Sequence, residues 1–427
     1  MKSYNASGYS LIPLKTLPAV YIHIPFCTVK CDYCDFFSVA NQDSSIQNRI
    51  VDQTLKQLDL SIQMISPEKI DTLYIGGGTP NSLNSGTFYK LIHCCKELVE
   101  SRKIEEWTVE LNPEHITDEM LKILQNEGVT RLSIGIQSFS DRSLQLLNRR
   151  ATASRNHAVL KKIEKIWTGS WNLDLITALP GQTIREAARD LQSAVDYHPS
   201  HISLYNLTIE PDTRLWERVA EKEVESLNDK TSASFLEMGW EFLRKHSYLH
   251  YEISNFSREN EQSRHNLHYW RMHPYLGVGP GAVSTLPVKE GPGAAARFQV
   301  TRRFDTFLRT GFSRKIPVEV MDAEIITARQ FLLEYLMMGL RTYPGIRLRD
   351  FQKIFNTPVD RVIPRTIQKA VHSGFLSLHS LKNQDDAPGC LSPTNSGMMF
   401  LDRVLLWAAS EIEDIDVACT WPVHDNP

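Results

Sequence analysis

Three closely spaced cysteines carry the strongest chemical signal in the sequence. Cys27, Cys31 and Cys34 lie within eight residues and follow a short apolar run at residues 19–24. Three thiolates on one loop can converge on one metal centre, and a four-iron cluster held by only three of them leaves one iron open to another ligand. A structural zinc site is the alternative, but it normally has four protein ligands. His23 is a candidate for that fourth ligand, and the cysteines alone do not decide between the two centres.

The other four cysteines have no comparable spacing. They are Cys94, Cys95, Cys390 and Cys419, which brings the total to an odd seven. The odd count, together with a first segment that lacks the apolar core of a secretory signal, argues against a disulfide framework. We therefore interpret these four as buried thiols and expect a cytoplasmic protein.

Composition and charge exclude several functional classes. Lys and Arg number 47 and Asp and Glu number 50, for a formal net charge of −3, and 42% of the residues are hydrophobic. These proportions are typical of a folded globular protein and lack the basic excess of a dedicated nucleic-acid-binding protein. The sequence also has no apolar run of about 18 residues, so it predicts no membrane span.

Six short apolar runs alternate with amphipathic helical patterns in the first half of the chain. The runs are rich in Val, Ile, Tyr and Trp, which favours strands. Thr117 followed by Asp118 and Glu119 is typical of a helix start. Six strand–helix repeats in series predict an α/β fold built on a parallel sheet or barrel. The runs begin at Ala19, Asp71, Trp107, Thr130, Trp171 and His201.

Residues able to bind a ligand recur at the ends of these predicted strands. The first strand runs into the cysteines, the second into the GGGTP segment at 76–80, and the next three end near Glu110, Gln137 and Asp174. In parallel α/β folds, the carboxyl ends of the strands meet at one edge, where ligands bind. Five successive strand ends of this kind predict one shared site.

The chain divides into four predicted regions. They are an N-terminal extension at 1–18, a barrel at 19–215, an extension of the barrel at 216–312 that is rich in aromatic residues and histidines, and a C-terminal domain at 313–427. The last region combines helical patterns with a helix–turn pattern, and it resembles a small, mainly helical, winged-helix-like module. Its charge is mixed, so we interpret it as a helical cap and expect no nucleic-acid partner.

The segment YIHIPFCTVKCDYC, which begins at Tyr21, resembles the signature of the radical S-adenosylmethionine (SAM) superfamily, C-x3-C-x2-C. This resemblance implies a partial (β/α)6 barrel and a [4Fe–4S] cluster held by Cys27, Cys31 and Cys34. It also implies that SAM binds the open iron through its amino and carboxylate groups, and that the reduced cluster cleaves SAM to a 5′-deoxyadenosyl radical.

Further segments resemble one branch of this superfamily. The branch contains oxygen-independent coproporphyrinogen III dehydrogenase and the HemW-like haem chaperones. The matching segments occupy roughly the first two-thirds of the chain. They are YIHIPFC, GGGTP from Gly76, VELNPE from Val109, RLSIGIQSF from Arg131, LDLITALPGQT from Leu173 and the region from Tyr251 to Ser284.

The resemblance also assigns a set of SAM contacts, each with its own chemistry. Glycines allow a close backbone approach to a ligand, and the carboxylates of Glu110 and Asp174 accept from an ammonium or from ribose hydroxyls. The guanidinium of Arg149 pairs with a carboxylate, and the Gln137 amide can donate or accept. The Tyr33 ring is placed to pack beside the adenine or the cluster. The assigned contacts are Tyr21 through its backbone, Tyr33, Gly77, Gly78, Thr79, Glu110, Gln137, Arg149 and Asp174.

Two departures separate this chain from the dehydrogenase pattern. The dehydrogenase carries a further cysteine two residues beyond the third, where this chain has Phe36. The dehydrogenase also has a longer N-terminal extension that helps to close its active site, whereas twenty residues precede Tyr21 here. Both departures match the chaperone-like branch, and they argue against substrate decarboxylation without affecting cluster or SAM binding.

The segment HNLHYW, which begins at His265, resembles the H-N-x-x-Y-W element of the chaperone branch. Haem iron commonly takes an axial histidine, so His265 is the leading candidate, with Tyr269 and Trp270 able to pack on a macrocycle. A structural, hydrogen-bonded histidine is the competing interpretation. The rival ligands are His250, His268 and His273.

The resemblance therefore implies a radical SAM haem chaperone that binds haem as cargo and transfers it to apo-haem acceptor proteins. A coproporphyrinogen III dehydrogenase is the alternative, and a radical SAM enzyme with another substrate is a third interpretation. Whether the protein is an enzyme stays open. A homodimer, and peripheral membrane contact through the acceptors, are compatible with the sequence.

Overall fold

We describe the protein from a computed structural model of its 427 residues. The structure describes residues 4–5, 12–40, 42–288, 295–310, 321–379, 389–413 and 419. In this part of the chain, no helix is both long and apolar enough to cross a bilayer.

The strands and helices are numbered separately along the chain. The strands are β1 (Tyr4–Asn5), β2 (Thr16–Ile24), β3 (Phe26–Cys27), β4 (Val39–Ala40), β5 (Lys69–Gly77), β6 (Glu106–Leu111), β7 (Arg131–Gln137), β8 (Ser170–Thr177), β9 (His201–Asn206), β10 (Leu249–Glu252), β11 (Asn255–Ser257), β12 (Tyr275–Val278), β13 (Val283–Pro287), β14 (Ala295–Val300), β15 (Met321–Ile326), β16 (Ile346–Arg347), β17 (Leu376–His379) and β18 (Cys390–Pro393). The helices are α1 (Ser44–Ile65), α2 (Ser85–Val99), α3 (Asp118–Glu127), α4 (Asp141–Leu146), α5 (Ala153–Ile166), α6 (Ile184–Val195), α7 (Arg214–Ala220), α8 (Asp229–Lys245), α9 (Arg264–Trp270), α10 (Phe304–Arg309), α11 (Ala328–Gly339), α12 (Leu348–Phe355), α13 (Val359–Val362), α14 (Pro364–His372), α15 (Asn395–Met399) and α16 (Leu401–Ile412).

The largest sheet of the described residues has thirteen strands, in the order β1-β15-β14-β13-β12-β2-β5-β6-β7-β8-β9-β11-β10. Strands β2, β5, β6, β7, β8 and β9 are neighbours in chain order, and each adjacent pair is parallel. Helices connect them in sequence, as parallel neighbours require. This arrangement confirms the predicted α/β fold with six strand–helix repeats, the partial (β/α)6 barrel.

Local sequence explains where these elements begin and why they are buried. All seven residues of β7 are buried, as expected for a parallel strand covered on both faces. Thr117 caps α3 by accepting from the amide of Met120, which confirms the predicted helix start. Thr183 and Glu186 form a reciprocal capping box at the start of α6.

Both edges of the six-stranded unit are extended. On one side β12 pairs in parallel with β2, and β13, β14, β15 and β1 continue antiparallel. On the other side β11 and β10 add an antiparallel pair to β9. Residues after the six repeats therefore lengthen the same sheet, which places the histidine-rich region directly against the barrel.

The C-terminal region has its own hydrophobic core. Strands β16, β18 and β17 form a three-stranded antiparallel sheet beside helices α11 to α16, the combination expected of a mainly helical, winged-helix-like module. Its buried cluster also includes Met272 and Ala295 from the barrel extension, so the two regions pack together. The predicted region limits remain predictions, and the limit between 312 and 313 lies outside the described residues.

Candidate functional site

A cavity of about 410 Å³ lies where the carboxyl ends of the six parallel strands meet. A volume of this order suits one small-molecule ligand. Its walls contain the three clustered cysteines and eight of the predicted SAM contacts, namely Tyr33, Gly77, Gly78, Thr79, Glu110, Gln137, Arg149 and Asp174. The structure thus brings together most of the predicted site from separate strands. Tyr21 and His265 are not among the lining residues.

The cysteine loop is anchored on both sides of the barrel edge. The amide of Thr79 donates to the carbonyl of Phe26 at 2.6 Å, which ties the loop to the end of β5. On the opposite side, Asp32 donates its amide to the Leu147 carbonyl at 3.2 Å and accepts a 2.8 Å bond from Arg218. These contacts fix the loop over the cavity.

The thiols of the cysteine loop are partly buried. Burial raises the pKa of Cys27, and it raises the pKa of Cys34 to about 11, with the neighbouring thiols adding to both shifts. The Sγ of Cys27 lies 3.5 Å from the Thr79 hydroxyl. A thiol with a raised pKa stays protonated at neutral pH. It loses its proton when a positively charged metal centre binds the sulfur, as in thiolate metal sites.

Glu110 projects from β6 into the cavity and is held by two donors. Tyr74 donates its hydroxyl to the carboxylate at 2.7 Å, and the amide of Gly77 donates at 3.1 Å. Burial raises the pKa of Glu110 to about 7, while these two hydrogen bonds oppose the rise. Among the residues that the structure describes, Glu110 forms no ion pair, and its carboxylate lines the cavity, where a ligand can reach it.

Neighbouring protein atoms leave no room for a side chain at two glycines of the GGGTP segment. A Cβ at Gly76 would lie 2.6 Å from the Glu110 carboxylate carbon, and one at Gly77 would lie 2.5 Å from the His23 ring. Gly77 also has a φ of 113°, which disfavours residues with a side chain. The sequence prediction assigned Gly77 and Gly78 to close ligand approach, whereas in the structure Gly76 makes room for Glu110 and Gly77 makes room for His23.

Asp174 belongs to a polar network inside the barrel. It accepts from the Asn172 amide at 2.7 Å and from the Ser133 hydroxyl at 3.4 Å. Asn172 in turn contacts Nδ1 of His201 at 2.6 Å. Burial raises the pKa of Asp174, although hydrogen bonds and the charge of Arg149 oppose the rise. Asp174 is thus a second acid that faces the cavity, and it forms no direct ion pair within the part of the chain that the structure describes.

Arg149 connects the cysteine loop to the strand ends. It donates to the Gly135 carbonyl at 2.5 Å and to the Asn112 side chain at 3.1 Å, and its Nη1 lies 3.6 Å from the Sγ of Cys31. Its buried Nε has no hydrogen-bond partner among the described residues. Gln137, nearby at the end of β7, has a φ of 65°, a conformation that turns the chain sharply at the cavity wall.

The two predicted tyrosine contacts are placed differently. Tyr33 packs in a small cluster with Leu147, Ile176 and Leu179 beside the cavity, so its ring is positioned to contact a ligand. The side chain of Tyr21 instead lies within hydrogen-bond distance of Nδ1 of His23, at 2.9 Å. Its predicted role through the backbone is unaffected by that placement.

His265 is 1% exposed and lies inside the barrel base. Its Nδ1 is 2.8 Å from the Thr72 hydroxyl, whose own proton goes to the Pro18 carbonyl at 3.0 Å. Nδ1 must therefore carry the proton, and Nε2 accepts from the Tyr269 hydroxyl at 3.0 Å. Burial lowers the pKa of His265 to about 3, so the ring is neutral, but both nitrogens are engaged in this conformation.

The rival histidines are also engaged within the fold. Burial lowers the pKa of His250 to about 4, and its ring stacks on Phe256 with centroids 4.2 Å apart. His268 and His273 face each other with their Nδ1 atoms 2.9 Å apart. Each of these side chains is at least partly buried, and none lines the main cavity among the described residues.

The sequence analysis did not identify several residues that line the site. They share one signal, which is a polar side chain at every second position along an otherwise buried strand or, for Asn112, at the next such position just beyond the end of β6. This period of two places them on the inner face of the barrel. The residues are Tyr74, Thr108, Asn112, Ser133, Asn172, His201 and Ser203.

Phe36 stands at the rim of the cavity with 64% of its surface exposed. This is the position at which the dehydrogenase pattern has a further cysteine. An exposed aromatic side chain supplies neither a thiolate nor a proton donor, so position 36 does not offer that functional group.

Comparisons with known proteins agree with this geometry. Residues 21–194 match the family model of the radical SAM superfamily, and residues 326–400 match that of the HemN C-terminal domain. The heme chaperone HemW of Escherichia coli is 34% identical over 387 residues, which cover 91% of this chain and 97% of that protein. The heme chaperone HemW of Buchnera aphidicola is 32% identical, covering 91% and 98%.

A solved structure shares the whole fold. The coproporphyrinogen III oxidase HemN of Escherichia coli superposes with a TM-score of 0.71, at 19% identity, over 95% of this chain and 92% of that one. This match confirms the barrel and the C-terminal module as one architecture. The identity to the two curated relatives extends along nearly their full lengths, and the chain belongs to the HemW family of radical SAM proteins.

Proposed function

We propose that this protein is a radical SAM haem chaperone, which binds haem and passes it to haem-dependent proteins. The observation that carries the proposal is that the three thiols, the acids Glu110 and Asp174 and the guanidinium of Arg149 line one cavity at the carboxyl ends of the strands. The near full-length similarity to proteins named heme chaperone selects this function among the radical SAM activities.

The cysteine loop fits a [4Fe–4S] cluster bound by Cys27, Cys31 and Cys34. The three thiols line one cavity, and the guanidinium of Arg149 lies beside Cys31, where it would offset the negative charge of a thiolate-bound cluster. When bound and reduced, such a cluster supplies the electron for reductive cleavage of SAM. Cys27, Cys31 and Cys34 would hold the cluster at the wall of the cavity.

The remaining walls fit SAM, which carries an ammonium, a sulfonium and a carboxylate. The buried carboxylates of Glu110 and Asp174 line the cavity and are placed to accept from the ammonium or from ribose hydroxyls. The Nε of Arg149 has no hydrogen-bond partner among the described residues, so it can offer its proton to a carboxylate. The cavity is lined by four acids, Asp35, Glu110, Asp174 and Glu210, and by two guanidinium groups, those of Arg131 and Arg149. Its lining is therefore net negative when the acids are ionised, which complements the net positive charge of SAM.

Haem is the proposed cargo and is expected outside this cavity. The proposed axial ligand His265 is not among the residues that line this cavity, so haem bound through it would lie elsewhere. His265 remains the proposed axial ligand, because it lies in the HNLHYW segment and its neutral ring is the form that binds iron. The proposed partners are apo-haem acceptor proteins, and a homodimer, membrane contact through acceptors, the lack of a nucleic-acid partner and a cytoplasmic location stay predictions.

Oxidative decarboxylation of coproporphyrinogen III is the second candidate function. The overall fold of the chain, which superposes on HemN, favours it. Phe36 opposes it, because the chain carries an exposed phenyl ring where the dehydrogenase pattern has a cysteine.

A paired assay under anaerobic conditions tests the two functions. The holoprotein is titrated with haem, and the loaded protein is mixed with an apo-haem protein whose spectrum reports transfer. The same preparation receives coproporphyrinogen III, SAM and reductant. We expect haem binding and transfer without formation of protoporphyrinogen IX.

The outcomes separate the candidates clearly. Robust conversion without haem transfer would replace the chaperone with the dehydrogenase. Neither haem binding nor conversion would leave a radical SAM enzyme with another substrate. His265→Ala is expected to change the haem spectrum while leaving the iron content of the cluster unchanged, because His265 lies outside the cavity walls.

A further inference from the structure

Residues Glu261–Trp270, here called the floor segment, close the amino-terminal end of the barrel. Its side chains Ser263 and Asn266 form part of the wall of the main cavity. A smaller cavity of about 130 Å³ is lined by other floor-segment residues and the first residues of the neighbouring strands. Arg131 lines both cavities, so the floor segment and this guanidinium separate them.

Glu106 fastens the start of α9 to the barrel. Its carboxylate, 4% exposed as a residue, accepts from the amide of His265 at 3.0 Å and from the amide of Arg264 at 3.1 Å. Ser263 adds its hydroxyl at 3.4 Å. A buried carboxylate that accepts the free amides of a helix start is a strong, charge-assisted cap.

Arg131 completes the attachment from the next strand. Its Nε donates to Glu106 at 3.0 Å, and its Nη2 donates to the carbonyls of Glu261 and Gln262 at 3.0 and 3.3 Å. Glu261 also accepts from the Ser170 hydroxyl at 2.5 Å. The floor segment is therefore held at its first residues by the starts of three strands, β6, β7 and β8.

These contacts place the iron-binding atom of His265 out of reach. The Nε2 lone pair accepts the Tyr269 proton, and the imidazole packs against the Tyr74 ring with centroids 4.9 Å apart. A macrocycle needs one face of open space at that nitrogen. The closed floor segment offers none, because His265 is 1% exposed.

We propose that Glu106 and Arg131 form a latch on the floor segment, and that haem ligation through His265 follows release of this latch. The inference rests on the proposed function, because it takes haem as cargo and His265 as its axial ligand. Glu106 and Arg131 are positioning residues, since they act on the ligand through the segment that carries it. Haem then binds only the fraction of molecules in which the floor segment is open.

This arrangement has a measurable consequence for affinity. If only an open fraction is competent, the apparent dissociation constant equals the intrinsic one divided by that fraction. Weakening the latch raises the open fraction and strengthens apparent haem binding. Loss of a hydrogen bond to a buried charge changes such an equilibrium by about tenfold or more.

The experiment compares Glu106→Gln with Asp190→Asn in cluster-loaded protein. Asp190 is a matched control because its buried carboxylate also accepts a backbone amide, that of Phe139 at 3.1 Å, far from the floor segment. Hydrogen exchange of the peptide containing Glu261–Trp270 and stopped-flow haem binding are measured on each. We expect Glu106→Gln to raise both the exchange rate and the haem association rate by about tenfold, and Asp190→Asn to change neither.

A second variant provides an independent test in case Glu106→Gln does not fold. Thr72→Val removes the hydroxyl that receives the His265 proton, and it is expected to raise haem association in the same direction. Faster exchange in either variant without faster haem binding would overturn the latch, as would unchanged exchange in both. If His265→Ala binds haem normally, the ligand assignment fails together with the latch. If His265→Ala loses haem and the latch variants have no effect, only the latch fails.

Discussion

Nη1 of Arg149 lies 3.6 Å from the Sγ of Cys31, so a guanidinium from the loop after α4 meets the cysteine loop across the cavity. The same side chain donates to the ends of β6 and β7 through Asn112 and Gly135. Burial opposes the charge of Arg149, but the neighbouring Tyr33 and Cys31 raise its pKa, so the cation is kept. One residue thereby joins the proposed cluster to the proposed SAM walls.

The first prediction concerns the cluster. Cys27→Ala, Cys31→Ala and Cys34→Ala should each abolish iron binding, because each removes the anchor of one iron. The wild-type protein, reconstituted anaerobically, should contain about four irons and four sulfides per chain. Iron and sulfide analysis with the visible spectrum of the cluster measures this.

Cysteines away from the loop provide the controls. Cys94→Ala and Cys390→Ala should retain full iron content, because these thiols lie in α2 and β18 and do not line the cavity. Stoichiometric zinc in place of iron under reconstitution conditions would contradict the cluster and favour the zinc alternative.

The second prediction concerns the acids of the cavity. Glu110→Ala and Asp174→Ala should weaken SAM binding by about tenfold or more, because each removes a buried charged acceptor. Iron content should stay close to that of the wild type. The change that SAM causes in the EPR spectrum of the reduced cluster, titrated against SAM, measures the affinity. An undiminished response in both variants would remove these residues from the SAM site.

The third prediction uses the close contact at Gly76. Gly76→Ala should displace the Glu110 carboxylate, because the new Cβ would lie 2.6 Å from its carbon, and SAM affinity should fall toward that of Glu110→Ala. Gly86→Ala in α2 is the matched control, since its Cβ would meet nothing closer than 3.6 Å. Equal SAM affinity in Gly76→Ala and the wild type would show that Glu110 keeps its position or has no role in binding.

The sequence predicted the barrel because each of its strands has a strong local pattern. Short apolar runs between amphipathic helices specify parallel strands, and parallel strands bring their carboxyl ends together regardless of distance in sequence. The convergence of Cys27, Glu110 and Asp174 on one cavity follows from that topology. At this edge of the sheet, the local strand pattern of the sequence is therefore sufficient to predict which residues meet.

The placement of His265 could not be predicted in the same way. Its position depends on Thr72 and Glu106, which are more than 150 residues away in sequence and lie on two strands. A histidine in an aromatic segment has the same local pattern whether it is exposed or buried. Long-range contacts of this kind leave no periodic signal in the sequence. The polar inner face of the barrel was missed for a related reason, because single polar residues in buried strands resemble ordinary interruptions of an apolar run.

The last prediction concerns pH and the junction between the barrel and the C-terminal module. There, Tyr343 donates its amide to the Tyr251 carbonyl at 2.9 Å. Glu252, adjacent and fully buried, accepts from the Ser254 amide at 3.0 Å and from Asn255. Burial raises the pKa of Glu252 to about 7, while these hydrogen bonds oppose the rise. The folded junction therefore favours the protonated carboxyl.

The sign of the pH dependence follows from this shift. Between about pH 4.5 and pH 7 the unfolded chain has released the Glu252 proton and the folded chain keeps it, so the free energy of unfolding falls as pH rises and levels off above pH 7. Glu252→Gln cannot ionise, so its stability relative to the wild type should increase by about 2–3 kcal/mol from pH 5 to pH 8. Urea denaturation of both proteins across this range measures the difference, with the exposed Glu259→Gln as control. A constant difference between Glu252→Gln and the wild type would show that Glu252 is already ionised in the folded junction at pH 5.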